Sequence, residues 1–157
     1  MLEFKVEGAE GLKELGTEMV ENIREAARLS IRRGSLLFEG GIKQYLYAQK
    51  GFSEGIWKQL ADSTVESKSR RGLSNNALIG TSSMARSIER VLGEDDIMAM
   101  VGTKQVSSSG ARYPLIHEGA IKTKHVPARP FFWPAIQWRL PAFYAIVEEL
   151  FDKGFSK

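Results

Sequence analysis

The chain contains no cysteine, which excludes disulfide staples, thiolate metal sites and thiol nucleophiles and fits assembly in a reducing cytoplasm. Histidine is nearly as scarce. His117 and His125 are the two in the chain, and without a compact carboxylate or cysteine cluster beside them they do not form the ligand set of a metal site. No stretch reaches the ~18 to 20 uninterrupted apolar residues of a membrane-spanning helix, and the start MLEFKVEGAEG lacks the basic and apolar regions of a signal peptide. Membrane insertion and export are therefore not expected. Neither G-x-x-x-x-G-K-[ST] nor a strand-led G-x-G-x-x-G occurs, which argues against nucleotide hydrolysis.

What is present is ordinary for a folded protein: 157 residues, 43% apolar and 26% charged, enough to bury a core as one domain over 1–157. The formal charge of +3 arises from acids and bases interspersed along the chain, so it does not by itself imply nucleic acid.

Leu2, Phe4 and Val6 alternate with charged residues, the period-2 pattern of a short strand ended by Gly8. From Ala9 onward Leu12, Leu15, Met19, Ile23, Ala26 and Ile31 recur at helical steps. If this amphipathic helix runs to Phe38 it holds about 30 residues and spans roughly 45 Å, which invites a neighbouring subunit. Gly40 and Gly41 break the pattern. The polar, partly basic stretch from Ser63 to Asn76 reads as an exposed, flexible loop. Thr81, Ser82 or Ser83 can cap a short helix bearing Met84, Ile88, Val91 and Leu92 and ending at Gly93. DIMAMVG, Asp96 to Gly102, reads as a strand buried on both faces. Lys104 to Arg112 reads as a turn or hairpin loop. In PARPFFWP the prolines Pro127, Pro130 and Pro134 forbid a helix interior and favour extended chain. Ala135 to Phe151 resumes helical spacing, with Pro141 as a kink or first turn. The expected fold is α+β, with a long N-terminal amphipathic helix and a C-terminal helix packed on a small, mostly antiparallel sheet.

The chemistry offered by these residues is thin. His117 and Glu118 are neighbours, and in a strand they would point to opposite faces, which disfavours an acid–base couple. A structural or interface histidine is the favoured reading, with no catalytic residue and no cofactor expected. Two basic patches, Lys68 with Arg70 and Arg71, and Lys122 with Lys124 and Arg129, read first as solvated loops and second as surfaces facing DNA or a pore lumen. The aromatics Trp57, Phe131, Phe132, Trp133, Trp138, Phe143 and Tyr144 fit a core. The density of PARPFFWPAIQW fits a subunit interface equally well.

In order along the chain stand Trp57 and Leu60, Thr64 and Lys68, Leu78, Gly80, Thr81, Met84, Ser87 and Ile88, Val101-Gly102-Thr103, Tyr113, Ile116-His117-Glu118-Gly119 and Pro127-Ala128-Arg129-Pro130-Phe131. This series resembles the phage virion morphogenesis family, the tail completion proteins of Mu-like and P2-like phages, and RPFFWPAI is similar to a segment of HK97-type neck and minor tail proteins. Pro114 after the tyrosine and the displaced Met84 depart from the family pattern. The resemblance implies a non-enzymatic subunit of a ring, expected to be a hexamer, in the tail or neck of a virion assembled in the host cytoplasm. Its partners would be itself, the tail tube protein and head–neck connector proteins, with passing contact with phage DNA. Trp57, Tyr113, His117, Glu118, Arg129, Phe131 and Phe132 become interface candidates, with Arg129 and the two phenylalanine rings projecting from a proline-stiffened segment. A head-side connector and a basic nucleic-acid-binding domain are the alternatives. A hydrolase built around His117 and Glu118 is a further one.

Overall fold

The computed structural model describes residues 9–106, 110, 112–119, 121 and 126–155. The strand expected at Leu2 to Val6 lies outside them, as do Lys122, Lys124 and His125 and part of the Lys104 to Arg112 loop. In chain order the elements are helices α1 (Ala9–Tyr47), α2 (Lys50–Ser53), α3 (Asp62–Arg70) and α4 (Ser83–Arg86), strands β1 (Ile88–Leu92) and β2 (Ala99–Thr103), and helices α5 (Tyr113–His117) and α6 (Phe132–Phe155). The fold is α+β.

α1 is longer than its sequence pattern predicts, running for 39 residues straight through Gly40 and Gly41. Packing against α6 explains why. A β-carbon on Gly34 would lie 2.4 Å from the Phe143 ring, and one on Gly41 would lie 2.6 Å from Cγ of Arg139. Ala26, Ser30, Gly34 and Gly41 are all buried, so small residues at helical spacing form a seam along which α6 lies close. The contact offsets glycine's low helix propensity, about 1 kcal/mol per residue against alanine. Gly154 meets Asn22 and Ala26, Phe143 meets Gly34, and Arg139 meets Gly41. The two helices are therefore antiparallel.

α6 begins at Phe132, three residues earlier than predicted, because Pro134 falls in the first turn, where the missing N–H has no helical acceptor to lose. Pro141 lies inside the helix. Pro141 and Gln137, whose carbonyl would have accepted the missing bond, are both exposed, so water can satisfy that carbonyl.

The segment expected as a helix to Gly93 is one turn, α4, followed by strand β1. Ile88, Val91 and Leu92 pair antiparallel with β2, Ile88 opposite Thr103 and Val91 opposite Met100. The Ser87 and Thr103 hydroxyls meet at 2.6 Å, and this long-range pairing outcompetes a helix too short to stand alone. The sheet packs on α1, to which Arg32 and Asp96, and Arg90 and Glu39, also tie it. Its other face is bare, with Met100 63% exposed and Val91, Ile97 and Met98 also exposed. DIMAMVG is thus covered on one side, contrary to its apolar sequence, because among the described residues no element lies over the second face of the sheet.

The Ser63 to Asn76 stretch is exposed as expected, but its first half is helix α3, which buries no residue. Tyr113 to His117 forms a helical turn rather than an extended run. The core gathers where the C-terminal half of α1 meets the start of α6, with Ile42, Tyr45, Leu46, Trp57, Ile79, Ile88, Phe131 and Ala135 buried together.

Candidate functional site

The residues singled out as interface candidates come from three separated stretches, and the fold brings most of them into one node beneath the start of α6. The Trp57 indole N–H donates to the Pro130 carbonyl at 2.7 Å. Its ring stands edge-on to Tyr45 and Phe52. Arg129 is 6% exposed and donates from Nη2 to the Lys58 and Gln59 carbonyls at 3.1 and 3.4 Å. The Arg129 backbone N–H donates to the His117 carbonyl at 2.8 Å. Glu118 completes the node: its Oε1 accepts from the Phe131 and Phe132 backbone N–H groups at 2.7 and 2.9 Å.

This arrangement corrects the expectation that Arg129, Phe131 and Phe132 project outward. Phe131 is 0% exposed and Phe132 packs half-buried against the same core. The extended proline segment does present Arg129 rigidly, but it aims the guanidinium inward at backbone carbonyls. Its Nε and Nη2 donors are used within the chain, and with the side chain buried this disfavours it as a two-pronged fork for a partner's carboxylate. Trp57 and His117 are likewise buried. Of the seven interface candidates, Tyr113 is exposed, and Glu118 and Phe132 are half-buried.

The IHEG element has a structural reading in this setting. His117 ends α5, and Gly119 adopts φ 80°, a left-handed conformation that glycine reaches without strain, while its N–H bonds the Ile116 carbonyl. The turn swings the Glu118 carboxylate to the N-terminus of α6. There it satisfies two backbone donors and meets the positive end of the helix dipole. Glu118 is thus engaged by α6 while the imidazole of His117 stacks against Tyr113.

Burial pushes the His117 pKa down to about 4, with the Arg129 charge acting the same way and a hydrogen bond to the Pro127 backbone opposing. The ring is neutral at pH 7. Its Nδ1 is buried without a hydrogen-bond partner. Burial also lowers Arg129 from its usual range. Tyr45 is raised by burial and then by its hydrogen bond to Glu54, 2.6 Å away.

The first basic patch is partly occupied. Lys68 donates to the Ser74 and Asn76 carbonyls at 2.8 and 2.5 Å, closing the loop after α3, and burial followed by the Arg129 charge lowers its pKa. Arg70 pairs with Glu66 at 3.0 Å, with both side chains exposed. Arg71 is exposed. Lys122 and Lys124 lie outside the described residues.

Three exposed apolar regions received less weight in the sequence than this node: the α1 tip, the bare sheet face, and Trp133 and Tyr144 on α6. Periodicity places these side chains on faces of their elements but does not say which faces the chain itself covers. A cleft of about 600 Å³ opens between the end of β2 and the start of α6. No cluster of three metal-ligating side chains occurs among the described residues, and no helix among them is long and apolar enough to cross a membrane. No family model, curated protein or solved structure matches the chain.

Proposed function

We propose that this chain is a structural protein of a phage virion, a ring-forming subunit that completes or terminates the tail and joins it to the head–neck without catalysing a reaction. The ordered motif series carries the reading, because Trp57, far away in sequence, and the neighbouring IHEG and PARPF elements interlock through direct hydrogen bonds. Motifs that meet in space make one structural signature where each alone is short. The exposed apolar surfaces on α1 and the sheet are the kind of area an assembly covers. The proposal takes the ring as six-fold, as in the family the series resembles, with tail tube and head–neck connector proteins as neighbours.

Mass spectrometry of purified particles from a producing lysogen tests the reading. The protein is expected among the virion components, and deleting its gene is expected to leave filled heads and tails that fail to join, or tails of unregulated length, in negative-stain images. Complete, infectious particles that lack the protein would overturn it. The DNA-binding alternative draws less support, since Lys68 is held by backbone carbonyls and Arg70 by Glu66.

A further inference from the structure

The apolar stripe that α1 lays against α6 does not stop where α6 does. Gly154 lies beside Asn22 and Ala26, and from there toward the N-terminus α1 continues with residues 14–20 all exposed. Leu15 and Met19, 66% and 48% exposed, stand on the same helix face as Ala26 by the 3.6-residue period. Glu14, Glu18 and Glu21 flank that face, and residues 14–23 contain no basic side chain. Glu21 pairs with Arg24 just beyond. The tip is therefore an apolar ridge with an acidic border.

Near the other end of α1 lies a cleft whose exposed charges are of the opposite sign. The cleft of about 600 Å³ is lined by apolar groups including Val106, Leu115 and Phe132, with the cations Lys104 and Arg112 at its edge. Neither cation is in an ion pair among the described residues. The one acid in the lining, Glu118, is engaged by the α6 N-terminus.

We infer that the α1 tip of one copy seats in the β2–α6 cleft of a second copy of this chain, Leu15 and Met19 entering the apolar lining while Glu14 and Glu18 meet Lys104 and Arg112. The α1 tip of a chain cannot reach that chain's own cleft. Met19 and Gly41 are separated by more than ~30 Å along α1, and Phe132 lies beyond the Gly41 level because α6 runs antiparallel. Charge also selects this seat over the other apolar surface. The bare sheet face of Val91 and Met100 carries the exposed Glu89, two residues from Val91 on the same strand face, which would repel an acidic tip. Because tip and cleft are different surfaces, the contact is head-to-tail and propagates, closing into a ring where the rotation per copy allows. The inference rests on the self-association in the proposed function and names the two surfaces that make it.

The natural absence of cysteine makes engineered cross-linking clean. With Met19→Cys and Leu115→Cys in one chain, oxidation is expected to yield a ladder of covalent oligomers, while a mixture of the two single variants stops at dimers and each single variant alone gives none. Separately, Glu14→Lys with Glu18→Lys is expected to weaken self-association at least tenfold by sedimentation, as is Lys104→Glu with Arg112→Glu, and mixing the two variants is expected to recover it. Three results overturn the inference: Met19→Cys alone forming dimers, oligomers forming with no cross-link between the two positions, or a chain monomeric at every concentration. Each leaves the virion reading to be judged by particle composition, so the two proposals fail separately.

Discussion

At the scale of single residues, His117 and Glu118 are adjacent in sequence and play opposite electrostatic parts. His117 is buried neutral, with a folded pKa near 4 against an ordinary value of 6.5. The unfolded chain therefore binds the proton more readily, and the stability from the neutral ring is fully present above about pH 6.5 and lost as pH falls toward 4. The shift corresponds to on the order of 3 kcal/mol. Chemical denaturation at pH 7 and pH 4.5 should show a marked loss for the natural chain and a smaller one for His117→Gln, which cannot take up the proton. Glu118 instead uses its charge. Replacing it with alanine strips the cap from a 24-residue helix, with an expected loss of about 1–2 kcal/mol. Glu118→Gln keeps an acceptor without the charge and should lose less, so the difference in denaturation midpoints between the two variants reads the charge contribution.

The sequence marked these residues as important without saying how. IHEG and PARPF stand out by composition, but the bonds joining Glu118 to Phe131 and His117 to Arg129 cross a loop of about ten residues, and no periodicity encodes such pairings. Arg129 shows the same gap. Arginine between prolines reads as a presented charge, yet the direction it faces depends on where Lys58 and Gln59 pass.

At the scale of elements, the long amphipathic α1 was legible from its repeating apolar positions, and its true length was hidden by glycine. Gly40 and Gly41 read as a break in the pattern until α6 is laid beside Gly41, and Gly34 shares the same close approach. Gly34→Ala tests the balance: intrinsic propensity favours alanine by about 1 kcal/mol, whereas a β-carbon 2.4 Å from the Phe143 ring forces the helices apart. Overpacking of this kind costs about 1–3 kcal/mol. Thermal melts are therefore expected to show net destabilisation, relieved by adding Phe143→Leu. Gly16 meets nothing within 4 Å, so Gly16→Ala should be neutral or stabilising in the same assay. The α4–β1 segment differs for another reason: the spacing of Met84, Ile88, Val91 and Leu92 is helical, but the run is too short to hold a helix alone, and pairing with β2 decides it.

At the scale of the whole molecule, charge is distributed so that one end of α1 is acidic while Lys104 and Arg112 border a cleft near the other. A net charge of +3 conceals that polarity. Self-association through tip and cleft should weaken as salt rises, because rim charges are screened over about 10 Å at 0.1 M. It should also persist in part at high salt through the buried Leu15 and Met19. Sedimentation across a salt series checks both: a partial, saturating loss is expected for the natural chain, and for Glu14→Lys with Glu18→Lys, where like charges meet, association is expected to strengthen as salt rises.

By itself the sequence determined the long N-terminal helix, a strand overlapping Asp96 to Gly102, the helical spacing of the last segment and the α+β class, because each follows from spacing within a few residues. Only the tertiary structure decided which apolar faces were used up inside the chain. Trp57, Arg129 and Phe131 went into the core, while Leu15, Met19 and Met100 remained outside. Burial is a property of what packs against a residue, and here the packing elements lie tens of residues away.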